Sequence, residues 1–334
     1  MTSMMKRKWG STLVVLALPF FMGMTGMTGM SGCPTTPTGD TGSDQGDRKG
    51  IYVSNFGGKS ITVYSLDASG DAAPIRTISG EATGIGGPLG IARDSEGKLY
   101  VCNRSAGTVT VYPLTGNGNI TPTRILADAD MGSPEGIVIA NTDEVFVSNC
   151  PTLGGLGGTA GVFHFGNDAT APDYKIAGAN TGITVPVGLA LDEARDLFVA
   201  NAFGGTVALF APGQTGDQFP TRSFNPGGNT QSIAYGSASI LLGMPSGINT
   251  YHSAASGDTA WVGQINDPIS YTGGIYFDTD VTPPVIYVAD FGSNSVHVIQ
   301  TVGVPPFLSI QSVTTINGPN TKLESPYGIV VVKV

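Results

Sequence analysis

A block of sequence recurs along this chain every 44 to 52 residues, and no other feature narrows its possible folds so far. PLGIARDSEGKLYVCN from Pro88, PEGIVIANTDEVFVSN from Pro134 and PVGLALDEARDLFVAN from Pro186 share one layout: a strand, a polar turn and a second strand ending in Asn. A Gly-bearing turn and a third strand follow, and most units add a weaker fourth, such as PIRTI from Pro74, PTRIL from Pro122 and PTRSF from Pro220. The Asn position returns at Asn55, Asn103, Asn149 and Asn201, then as Pro245 and Asp290, in steps of 48, 46, 52, 44 and 45 residues. That makes six units, and a period of this length marks a repeat architecture in which each unit covers its neighbour.

One four-stranded unit cannot bury both of its apolar faces, whereas radial stacking around an axis buries them and leaves only short edges. The expected fold is therefore all-β, a six-bladed β-propeller of four-stranded antiparallel blades. A seventh blade needs roughly another 45 residues, and a sandwich leaves the period unexplained. Composition agrees: 40% of residues are hydrophobic and 12% charged, and the many Val, Ile and Tyr suit half-buried strands. The 49 Gly and 22 Pro, about a fifth of 334 residues, stay below the level of low-complexity disorder. The first unit opens on a second-strand motif, IYVSN from Ile51, and the chain ends on a first-strand motif, PYGIVVVKV from Pro326. Pairing of the two terminal segments in one shared blade would close the ring.

Ahead of the repeats, Lys6, Arg7 and Lys8 precede an apolar run from Leu13 to Met22, too short to span a bilayer but suited to a secretory signal. Its end, Met-Ser-Gly-Cys from Met30, resembles the bacterial lipobox, with Met in place of the preferred Leu; ordinary cleavage near Gly32 is the alternative. The resemblance implies lipidation of Cys33 and a protein exported and anchored at the bacterial cell envelope, at the outer membrane or cell surface. The domain reading is thus a signal peptide over 1–32, a Thr/Pro/Gly/Asp-rich tether over 33–50 and a propeller over 51–334. From Cys33 onward 13 basic residues face 25 acidic ones, a net charge of −12 that repels phosphate backbones, so no nucleic-acid partner is expected. A monomer is expected. Cys102 and Cys150 lie one residue before and one after the repeat Asn of neighbouring units, which points their side chains the same way and favours two buried thiols over a disulfide.

With its P-x-G-I-A-x-D-x-x-G-x-L-Y-V-[AS]-[ND] units, the chain from Ile51 to Val334 resembles the NHL-repeat and YVTN-type propeller proteins. Gly243, Met244 and Pro245 depart from that pattern. The family's members include binding modules, interaction platforms, lactonases and lyases, so the resemblance bears on fold far more than on activity.

In such a ring the start of each first strand and the end of each second strand share the face that holds the channel mouth. The variable residue of P-x-G-I forms a ring there: Leu89, Glu135, Val187, Gln231, Gly273 and Tyr327. Asn55, Asn103, Asn149, Asn201, Asp290 and Arg104 are expected nearby. The candidate ligand-binding set is Glu135, Arg104, Gln231, Tyr327, Asn103, Asn149, Asn201 and Asp290, with no catalytic residue assigned. No cofactor is expected from the motifs. Resemblance to the regucalcin and gluconolactonase class allows a divalent cation such as calcium on Glu135, Asp290 and Asn carbonyls, since calcium takes six to eight oxygens. Against this, an Asn ending every second strand suits a turn, its side chain bonding the following backbone.

His164, His252 and His297 map to third strands of three separate units, which disfavours one shared zinc site or a histidine-dependent lyase. No G-x-S-x-G elbow, P-loop or C-x-x-C pair occurs. The Gly-rich segment from Cys150 to Ala160 reads as an enlarged loop, or as a flap over the mouth. LDASGD from Leu66 and PGQTGD from Pro212 read as ordinary turns, and DSEGK from Asp94 and DEARD from Asp192 as solvated connections on the opposite face. Two functions fit: a lipid-anchored, non-catalytic scaffold binding a protein, glycan or small molecule, or a metal-assisted lactonase or related hydrolase using Glu135 and Asp290.

Overall fold

A computed structural model describes residues 48–151, 158–203 and 205–333. The signal segment, Cys33, most of the tether and most of the loop after Cys150 lie outside the described residues. The remainder forms six antiparallel sheets arranged in a ring, a six-bladed propeller almost free of helix. The innermost strands, in ring order, are Pro326–Val332, Pro88–Arg93, Pro134–Ile139, Pro186–Leu191, Ser232–Gly236 and Thr272–Asp278. Next outward stand Gly50–Asn55, Lys98–Asn103, Val145–Asn149, Leu197–Asn201, Ser239–Met244 and Val285–Asp290. The first blade takes its innermost strand from the C-terminus, with Ile51 opposite Val331 and Val53 opposite Ile329, so chain ends close the ring by backbone hydrogen bonds.

Side-chain alternation along these strands supplies two apolar faces per blade, and each face meets the next blade. The core is accordingly divided into six inter-blade clusters. Ile51, Val53 and Val331 pack toward Val285, Ala289 and Val296 of the sixth blade. Tyr52, Ile61 and Val330 face the other way, onto Leu99, Val101 and Tyr112 of the second.

The repeat glycine has a packing cause at the axis. A methyl on Gly90 would stand 2.6 Å from the Glu135 carbonyl oxygen, and one on Gly274 would stand 2.5 Å from that of Tyr327. Neighbouring innermost strands touch backbone to backbone at this level, so any Cβ intrudes. In the fifth blade Ser232 takes the glycine position, and its partner across the strand pair is Gly243 where other blades have Ala200 or Ala289. Exchanging small for smaller across the pair keeps the volume. The same register sets Met244, not Pro245, at the Asn position, correcting the sequence alignment by one residue.

The turns LDASGD and PGQTGD staple blades together. Gly70 donates its N–H to Thr315 O (2.7 Å) and accepts from Asn317 N (2.9 Å), laying a parallel bridge on the outer strand of the preceding blade. Asp71 then caps the short 3-10 turn Pro319–Thr321 through Asn320 N at 2.7 Å. Gly118 with Asn119 and Gly216 with Asp217 repeat the arrangement on Ile78 and Ile176.

Candidate functional site

Four of the six innermost strands carry a register shift between the P-x-G proline position and the strand body, and the C-terminal strand shifts against Val53 and Asn55. A bulge of this kind leaves one residue unpaired and re-aims its side chain. The variable residue is the one released: Leu89, Glu135, Val187 and Tyr327, joined by Gln231, line a cavity of about 470 Å³ at the mouth. Gly273 lies lower, in the throat of the channel.

A second ring completes the mouth, made by the residue that follows the repeat Asn. Phe56, Arg104, Ala202, Pro245 and Phe291 all line the cavity, with Phe203 and Tyr271 beside them. Sequence reasoning singled out only Arg104 from this ring. The same alignment, carried one residue further, would have found Phe56 and Phe291. Tyr271 and Phe291 meet at 5.8 Å between ring centroids, and Phe203 is more than half exposed, so the wall is largely aromatic.

An ion pair sits in this wall. Glu135 is 1% exposed, and its Oε1 lies 3.2 Å from Arg104 Nε, while Ser133 Oγ donates to the same oxygen at 3.4 Å. Burial pushes the Glu135 carboxyl up to about 7, and Arg104 opposes that shift without cancelling it. Burial raises the phenol of Tyr327 far above its ordinary range, with Glu135 adding to the effect, and raises the thiol of Cys102 for the same two reasons. Cys102 and Cys150 are both buried, and no disulfide joins them.

The Asn side chains face other work. Asn103 Oδ1 accepts from Gly86 N at 3.1 Å, Asn149 Oδ1 from Ser133 N at 2.6 Å, and Asn201 Oδ1 from Thr184 N at 2.9 Å. Each amide thus latches the segment that enters its own innermost strand, 16 or 17 residues upstream, where the sequence suggested the following backbone. Asp290 does both: it accepts from Ser270 N (2.8 Å) and Tyr271 N (2.9 Å) behind it and from Gly292 N (3.0 Å) ahead, with His297 Nε2 3.2 Å from its second oxygen. These bonds hold its carboxyl well below the usual range against the opposing effect of burial. Among the predicted residues the structure therefore brings together Glu135, Arg104, Gln231 and Tyr327. Asn103, Asn149, Asn201 and Asp290 are fully buried behind them, and Asp290 does not share the mouth lining with Glu135.

The histidines lie on third strands of three blades. His164 stacks on Tyr174 at 4.2 Å between Asp173 and Glu144. Burial lowers its pKa below the ordinary value.

Below the mouth, Ile91, Ile137, Leu189, Ile233, Ile275 and Ile329 ring a throat of about 70 Å³ that opens into a funnel of about 540 Å³ on the opposite face. That funnel is wider than a face of plain turns would provide. Its carboxylates are nonetheless engaged locally: Asp94 accepts from Lys98 N at 2.8 Å and Glu96 N at 3.0 Å, and Asp143 from Ser95 N at 2.9 Å.

No protein-family model matches the chain, and no curated protein sequence does. Among solved structures it is similar to a chain of a nidogen/laminin complex, with a TM-score of 0.58 at 15% identity over 84% of this chain and 97% of that one. A functionally unknown protein from Desulfotomaculum acetoxidans gives 0.56 at 13% identity, over 83% and 84% of the two chains. A protein of unknown function from Bacteroides caccae gives 0.57 at 11% identity, over 84% and 97%. At these identities the likeness is one of fold.

Proposed function

We propose that this protein is a lipid-anchored, extracytoplasmic propeller of the NHL/YVTN type whose mouth binds a ligand without transforming it. The observation that carries this reading is the mouth itself: a cavity of about 470 Å³ with aromatic walls and a buried ion pair, in the size range of small-molecule sites. Rigid strands present the lining, and the bulge at each P-x-G turns one side chain into it. Chain direction sets the end of the ring at which the tether joins. The strand Gly50–Asn55 reaches the mouth at its Asn55 end, so the tether joins at the far end, where Arg48 bonds the Glu96 carbonyl in a turn of the opposite face.

Two experiments test the reading. Cys33→Ala should move the protein from the membrane to the soluble fraction; identical fractionation of mutant and parent removes the anchor from the account. A thermal-shift screen of small metabolites, oligosaccharides and short peptides should yield ligands that raise the melting temperature of the parent but not of Tyr327→Ala or Phe56→Ala. Ligands that stabilise parent and both variants equally would place binding elsewhere.

A further inference from the structure

The geometry points to an organic carboxylate, an anionic group carried on a flat apolar body, as the class of ligand that the mouth receives. This rests on the mouth being the binding site. Of the five N–H donors of a guanidinium, Arg104 turns Nε toward Glu135, and that nitrogen is buried without a bond of hydrogen-bonding geometry. Its terminal nitrogens hold no hydrogen bond to any described residue, and the side chain, 20% exposed, lines the cavity. A planar fork with free donors in the wall of a pocket matches a carboxylate two bonds at a time. Around it Phe56, Tyr271, Phe291 and Tyr327 supply flat apolar surface suited to an aromatic or similarly flat body.

Glu135 makes this receptor pH-sensitive. Its neighbours are Arg104, Ser133, Cys102 and Tyr327, with Tyr271 and Cys150 close enough to Tyr327 to act on it. Cys102 and Tyr327 are pushed upward and stay neutral near pH 7. Below about pH 7 Glu135 is neutral as well, so the charge of Arg104 is uncompensated and available to an incoming anion. Above it the site holds its own carboxylate.

The test uses full-length protein in detergent, with 2-naphthoate and its uncharged analogue 2-naphthamide as probes, titrated by calorimetry at pH 6 and pH 8. An ordinary carboxylic acid titrates near 4, so the probe stays charged at both. At pH 6 the parent should bind naphthoate at least ~10-fold tighter than the amide, about 1.4 kcal/mol. That preference should vanish in Arg104→Gln. Raising the pH to 8 should weaken naphthoate several-fold in the parent and leave Glu135→Gln unchanged. Equal affinity for acid and amide, with both lost in Tyr327→Ala, would overturn the carboxylate assignment and leave the mouth as a binding site. Absence of binding by either probe, or binding indifferent to Tyr327→Ala and Phe56→Ala, would overturn both. The comparison of acid with amide on the parent needs no variant to fold.

Discussion

Glu135 shows how one buried residue couples stability to pH. Its folded pKa of about 7 lies above the ordinary value near 4.3, so the folded state binds more protons than the unfolded one between those limits. The contribution is therefore present below about pH 4, declines as the pH rises through that window and is gone above 7, a loss on the order of 3 kcal/mol. Glu135→Gln, neutral throughout, should melt like the parent at pH 4 and several degrees higher at pH 8; a constant gap between the two across this range would mean that Glu135 is not held neutral by burial. Asn103→Ala should cost about 2 kcal/mol in a denaturant titration at any pH, because it strands the Gly86 N–H and the Thr110 hydroxyl, each now paired with the amide. Much of this site was legible: aligning six repeats identifies Glu135, Gln231 and Tyr327 as the variable ring and Arg104 beside them. Phe56 and Phe291 carry no charge to mark them out in a turn, and the Met244 register is hidden because Ser232 and Gly243 exchange roles. The pairing of Arg104 with Glu135 joins two blades, and no single repeat encodes it.

At the scale of elements, the innermost strands and the outer turns do opposite jobs. Strand contact at the axis requires the P-x-G glycine, so Gly90→Ala, which sets a methyl against the Glu135 carbonyl, should cost about 3 kcal/mol or more, whereas Gly213→Ala, in open space, should cost about 1. Chemical denaturation of the two variants checks the contrast, and equal losses would mean that neighbouring strands separate more easily than their packing implies. Outside, the Gly-Asp turns hold blades together: Asp217 accepts from Asn180 N at 2.7 Å and Gly216 bridges Ile176. Asp217→Ala should remove about 1 kcal/mol and speed hydrogen exchange first at Gly216 and Ala177, where the bridge between the third and fourth blades runs. From sequence these turns carry ordinary Gly and Asp signals. Their partners sit on another blade, 37 residues away for Asp217 and 249 for Asp71, so local turn chemistry explains the residues without revealing the staple.

For the whole molecule, closure is the strongest commitment the chain makes, and the two terminal motifs already disclose it. Deleting residues 325–334 would strip Ile329, Val330, Val331 and Val332, all buried, at about 1.5–3 kcal/mol each, and expose the edges of two blades. The four side chains alone amount to about 6–12 kcal/mol, comparable with the 5–15 kcal/mol stability of an ordinary domain, so with both edges exposed the truncated chain should show no cooperative melting transition. The ring so closed offers two openings, and the functional account depends on which of them receives the ligand. Residue-resolved chemical shift mapping with a mixture of aromatic carboxylates decides this most directly. The account predicts that perturbations concentrate at Phe56, Arg104, Glu135, Phe291 and Tyr327 around the mouth. Perturbations gathered instead at Arg93, Asp94, Asp143 and Tyr235, around the wider funnel on the other face, would contradict it.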